Sequence, residues 1–95
     1  MSRLIINVDD FGYCSGVNRG IIESHQNGVL TSTTMMCGIP GFDEAVNLAI
    51  ENPKLGVGVH LTLTSGYPVK KDLQTIVAED GKFRSSTFYF KENGL

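Results

Sequence analysis

The chain opens on an apolar run, Leu4-Ile5-Ile6-Asn7-Val8, that stops at two adjacent carboxylates, Asp9-Asp10, ahead of Phe11-Gly12. A run apolar along its length predicts a strand over about residues 3–9, buried on both faces as in a parallel sheet. The next pattern is helical. Val17, Ile21 and Ile22 recur on one side while Arg19, Glu23 and Gln26 fall largely on the other, with Ser15 placed to cap and Gly28 to stop the helix. A second strand is expected over about 30–37, β-prone but polar through Thr31, Ser32, Thr33 and Thr34, with Met35 and Met36 as core filler. Ala45, Val46, Leu48 and Ala49 then predict a helix from Phe42 or Asp43 to Asn52, where Pro53 disfavours helical geometry in the residue before it. From Leu55 to Leu63 the period becomes two. Val57, Val59, Leu61 and Leu63 alternate with Gly56, Gly58, His60 and Thr62, which places His60 on the face of the glycines.

The predicted order is β-α-β-α-β, an α/β fold with a parallel sheet and right-handed crossovers. Beyond Ser65 the pattern dissolves, so residues 66–95 are expected to form an irregular region of one partial domain spanning 1–95. Asp80-Gly81 is a hairpin-type turn signal between short segments at 73–78 and 82–83, and a further element, read as a helix, begins near Ser85.

Bulk properties narrow the function classes. The chain has 95 residues, 41% hydrophobic, 19% charged, with a formal net charge of -2. That length allows one small domain, and the charge supplies neither a basic patch for nucleic acid nor a polybasic membrane signal. No apolar run approaches a membrane span, and the N-terminal run lacks the features of a secretory leader, so a cytoplasmic location is expected. Cys14 and Cys37 are too few for a disulfide framework and lack metal-type spacing, and reduced thiols are the expectation.

The chemistry concentrates at strand ends. Two acids closing a buried strand are costly unless they meet water, a partner or a cation. In a parallel sheet the C-terminal ends of all strands share one edge, so Asp9-Asp10 and His60 can converge there. A carboxylate with an imidazole is half of a typical divalent metal site. Asn7, Thr31 to Thr34 and Cys37 can line the same mouth, although ordinary strand packing explains most of them. His25, late in the first helix, reads as a surface residue near the helix C-terminus.

Asn7-Val8-Asp9-Asp10-Phe11-Gly12, followed by Ser15-Gly16-Val17-Asn18-Arg19-Gly20-Ile21-Ile22, resembles the opening of the YdjC-like carbohydrate deacetylases. Asn27-Gly28-Val29-Leu30-Thr31-Ser32-Thr33-Thr34-Met35-Met36 and the stretch from Asn52 to Thr64, with Gly58-Val59-His60-Leu61, continue the likeness in order. The resemblance covers about residues 3–68 and implies an irregular (β/α) barrel of the polysaccharide-deacetylase type. It also implies divalent-metal-dependent hydrolysis of the N-acetyl group of acetylated amino sugars such as chitooligosaccharides. By motif position Asp9 would be the general base, and Asp10 and His60 would hold the metal, Mg2+ first and Zn2+ as the alternative. The expected partner is a small carbohydrate, with neither nucleic acid nor membrane.

The family is considerably longer than this chain. Its later Asp-Ser-His-x-His-like segment, source of a second metal histidine, and any downstream general acid are absent from the sequence. Three strands cannot close a barrel, and an open parallel edge invites association, including with a second copy. The expectation is therefore an N-terminal fragment that is incomplete as an enzyme. The alternatives are another metal-dependent barrel hydrolase, of amidohydrolase or phosphoesterase type, and an inactive piece acting only through its open edge.

Overall fold

The structure is a computed structural model, and it describes residues 1–92. Two compact units divide the chain, one over Met1–Leu61 and a second beginning at Thr62. The first holds β1 (Asn7–Phe11), α1 (Ser15–Gln26), β2 (Ser32–Met35), α2 (Phe42–Glu51) and β3 (Gly56–Val59). The three strands form one parallel sheet in the order β1-β2-β3. The expected strand-helix rhythm is present, and both helices end within a residue of the positions read from sequence.

The core is built between the helices and one sheet face. Phe11, Ile21, Ile22, Leu30, Ala45 and Leu55 form a buried cluster, joined at its margin by Ile6, Val17, Met35, Leu48 and Ala49. The other sheet face carries a different set. The register aligns Asn7, Ser32 and Gly56 across the three strands and Thr34 with Gly58, so these residues share a face with Asp9. That face is polar and nearly free of bulk on β3, where two glycines stand.

The strands are shorter than the apolar runs. β1 begins at Asn7, leaving Leu4 and Ile5 exposed, and β3 stops at Val59, leaving Leu61 and Leu63 exposed. Val57 and Val59, on the apolar side of the outer strand, are 41% and 73% accessible. Among the described residues α1 and α2 do not cover that side of the outer strand. Ser15 does not cap α1. Cys14 occupies the cap position without a side-chain hydrogen bond, and the Ser15 hydroxyl donates instead to Glu44.

The second unit has little regular structure. One antiparallel bridge joins Val77 and Phe83 around a turn with Gly81 at φ 82°, where two short strands were expected. α3 (Ser86–Glu92) follows, with Phe88 and Tyr89 meeting edge to face. The end of the element expected over 85–95 lies outside the described residues. No helix among those residues is long and apolar enough to cross a membrane.

Candidate functional site

The site begins with an irregularity in β1. Between the pairs Val8–Thr33 and Phe11–Met35, β1 advances three residues while β2 advances two. The extra residue is a β-bulge, and Asp10 within it has φ 72°, in the left-handed region that few side chains adopt. Strict alternation would send Asp9 to the polar face, Asp10 into the apolar face and Phe11 out again. The bulge resets the phase. Phe11 enters the core with no accessible surface, while Asp9 and Asp10 both stay exposed. One inserted residue thus avoids burying a carboxylate, which would cost several kcal/mol (~2–7 for even a neutral polar group).

A tight turn fixes the far side of the bulge. The Tyr13 N–H donates to the Asp10 carbonyl at 3.0 Å, and Gly12, third in the turn, has φ 100°. A Cβ on Gly12 would lie 2.9 Å from the Met36 carbonyl oxygen, so glycine is required there for space as well as for φ. This turn brings the chain off the strand immediately after the second acid.

His60 follows β3 and remains tied to the sheet, its N–H donating to the Met35 carbonyl at 2.9 Å. Its Nδ1 lies 3.5 Å from Asp10 Oδ1, with the histidine side chain 26% and the aspartate 55% accessible. Thr34, on the strand between, links the second acid to the ring. The Thr34 hydroxyl donates to Asp9 Oδ1 at 2.9 Å and lies 3.1 Å from His60 Nδ1. A hydroxyl has one proton. With that proton given to Asp9, Thr34 accepts from Nδ1–H, which places the ring's lone pair on Nε2. Asn7 Nδ2 also donates to Asp9 Oδ1, at 2.9 Å, and the Ser32 hydroxyl donates to Asn7 Oδ1 at 2.8 Å. A polar chain therefore crosses all three strands, from Ser32 through Asn7, Asp9 and Thr34 to His60 and Asp10.

A shallow depression of about 310 Å³ opens here, lined by Asp9, Thr34, Val59, His60 and Leu61. Asp10 lies beside it, against His60. The structure brings together Asp9, Asp10 and His60, and it adds Thr34 and Asn7 from the wider set considered in the sequence. Cys37 is exposed and makes no bond in this network; His25 is at a separate place, its Nδ1 2.8 Å from the Leu30 carbonyl oxygen.

The donor chemistry fits a divalent cation in part. Asp10 offers carboxylate oxygens and His60 an imidazole nitrogen, Nε2, both on side chains reached by solvent, the donor types that Mg2+ and Zn2+ accept. They are fewer than a catalytic centre uses, and among the described residues no three His, Cys, Asp or Glu side chains are arranged to hold a metal ion by themselves.

Sequence reasoning missed Asn18. Its side chain is fully buried at the first turn of α1, accepting from the Gly12 N–H at 2.7 Å and donating to the Gly41 carbonyl at 2.9 Å and Glu44 Oε2 at 3.0 Å. A signal existed: Asn18 stands on the stripe of Ile21, Ile22 and His25, a polar residue where the helix turns inward.

The model of the YdjC-like protein family matches residues 3–94. The chain belongs to the YdjC-like family. Among its relatives, a protein from Brevibacillus brevis named carbohydrate deacetylase is 54% identical over 82 residues, covering 86% of this chain and 33% of the relative. A carbohydrate deacetylase from Halalkalibacterium halodurans is 46% identical over 95 residues, covering 98% of this chain and 40% of the relative. A crystal structure from Enterococcus faecalis, provisionally described as a cellobiose-phosphate cleavage protein, superposes with a TM-score of 0.77 at 44% identity. It covers 92% of this YdjC-like chain, which in turn covers 35% of it. The chain thus spans about a third of the length of the relatives it matches, and its parallel α/β unit corresponds to part of a YdjC-like fold.

Proposed function

We propose that this YdjC-like chain carries the cation-binding and basic half of a carbohydrate deacetylase site, which hydrolyses the N-acetyl group of acetylated amino sugars. The observation that carries the reading is the joining of Asp9, Asp10 and His60 at one end of a parallel sheet, in a chain whose relatives bear that activity's name. In this reading the sheet is the N-terminal portion of an irregular (β/α) barrel, and the polar face of Asn7, Ser32, Thr34, Gly56 and Gly58 lines its interior.

Asp10 and His60 would hold the divalent cation, with Mg2+ preferred and Zn2+ the alternative. When bound, such a cation polarises an amide carbonyl, a poor electrophile in water, and lowers the pKa of a water. Asp9 takes the proton from the attacking water. It is suited to that task because its carboxylate is exposed and aimed by two donors, Asn7 Nδ2 and Thr34 Oγ1, both on the same oxygen. Its other oxygen is left to meet the water. Thr34 orients the His60 ring at the same time, so base and ligand are placed by one hydroxyl. The two β3 glycines keep side chains from the face where the sugar would approach.

The test is acetate release from N-acetylated chitooligosaccharides by a polypeptide of the relatives' full length carrying these residues. Metal-dependent release that is lost in Asp9→Asn supports the proposal. Cleavage of a phosphate ester without acetate release would favour the phosphoesterase alternative instead.

A further inference from the structure

The bulge that turns Asp9 and Asp10 outward needs something to hold it, because a left-handed Asp10 is not a conformation the local chain prefers. Three observations converge on what does so. The loop after β1 and the loop before α2 touch backbone to backbone: a Cβ on Gly41 would lie 2.6 Å from the Gly12 carbonyl oxygen and 3.0 Å from the Cys14 nitrogen. Asn18 lies buried between these loops and spends its whole amide on them, Oδ1 on Gly12 and Nδ2 on Gly41 and Glu44. The network also fixes which way the amide faces. A carbonyl and a carboxylate can only accept, so they take the NH2 group, and the Gly12 N–H takes the oxygen. Glu44 is itself held, its Oε1 accepting from the Ser15 hydroxyl at 3.0 Å, and that hydroxyl accepting from Arg19 Nη2 at 3.0 Å.

We propose that Asn18 is a positioning residue for the site, clamping the Gly12 amide two residues beyond Asp10 so that both carboxylates keep their direction, with Glu44 fixing the Asn18 amide in turn. This deepens the deacetylase reading and rests on it for the identity of the site. It does not rest on it for the clamp. Neither residue touches the depression, so each acts only through the backbone of the bulge.

The experiment uses the chain with Asn18→Ala, the milder Glu44→Gln, and Ile21→Val as a core control that leaves the clamp intact. Amide hydrogen exchange is followed at Gly12 and at the core amides of Ile21 and Ile22, and Mn2+ affinity is measured from broadening of Asp10 and His60 resonances. The proposal expects Asn18→Ala to weaken Mn2+ binding by about tenfold, the lower end for residues that orient ligands, and Glu44→Gln by less. Gly12 exchange should accelerate more than core exchange in both variants, whereas Ile21→Val should leave Mn2+ affinity unchanged. If Asn18→Ala fails to fold, Glu44→Gln decides by the same two readings. Gly12 and core exchange accelerating in parallel, or unchanged Mn2+ affinity in a folded variant, would overturn the proposal. If the unsubstituted chain binds no Mn2+, the cation reading falls, and the exchange comparison alone decides the clamp.

Discussion

Replacing Asp10 by glycine and by alanine distinguishes a left-handed bulge from an ordinary strand position by the sign of the stability difference. At an ordinary strand position glycine is less stable than alanine by about 0.5–1 kcal/mol, because the unfolded glycine chain has more freedom to lose. At φ 72° the order reverses. The left-handed conformation costs an L-residue roughly 1–2 kcal/mol and costs glycine almost nothing. Subtracting the entropy term leaves Asp10→Gly more stable than Asp10→Ala by roughly 0–1.5 kcal/mol, centred on ~0.75. The contact with His60 does not disturb this comparison. It is 3.5 Å long with the aspartate 55% accessible, it contributes little as a surface pair, and both substitutions remove it. Urea unfolding followed by circular dichroism measures the difference, and a change in midpoint at constant slope reports it cleanly. For a domain of this size 1 kcal/mol moves the melting temperature by roughly 4–8 °C, so thermal unfolding gives a second reading. Asp10→Asn, which tolerates the left-handed region, should stay near the parent in stability while losing a charged ligand. Alanine more stable than glycine by the ordinary-strand margin of about 0.5–1 kcal/mol would refute the strained corner, and with it the explanation of why both acids face outward.

Other substitutions test the surrounding parts. Thr34→Val keeps the side-chain volume but removes the hydroxyl shared by Asp9 and His60; it should cost about 0.5–1.5 kcal/mol in unfolding free energy. In the same variant 15N NMR of His60 should show the Nδ1–H form giving way to a mixture of tautomers, and an unchanged ring would contradict the relay. Phe11→Ala empties the fully buried centre of the core and should destabilise by about 3–5 kcal/mol, enough to unfold a small domain, as seen by loss of the near-UV dichroism. Gly41→Ala places a methyl group 2.6 Å from the Gly12 carbonyl oxygen and should lower stability by about 1–3 kcal/mol through overpacking, measured by the same unfolding curves.

Element order and helix limits were legible in the sequence because they are written in local patterns. The inward residues of α1 and the proline after Asn52 need no partner to be read. The edge shared by Asp9-Asp10 and His60 was legible too, since parallel strands align their C-terminal ends. The bulge was not. An extra residue in β1 exists only relative to β2, and no period within Asn7–Phe11 reveals where pairing slips. The roles of Thr34 and Asn18 were hidden for the same reason. A threonine in a β-prone run and an asparagine on a helix look ordinary until strand register and loop contact give them partners. The alternation of Val57, Val59, Leu61 and Leu63 was legible, but alternation identifies a face without identifying what covers it, and all four are exposed.

The account depends on two places in the sequence, Asp9-Asp10 and His60, meeting at one cation, which Asp10 and His60 hold with Asp9 beside it. Mn2+ titration of the isotopically labelled chain, with relaxation read residue by residue, tests that directly. The account predicts that Asp9, Asp10 and His60 broaden together at a single saturation point while Asp43 and Glu51 stay sharp. Broadening of the two aspartates with His60 unaffected, or equal broadening across all these acids, would contradict it.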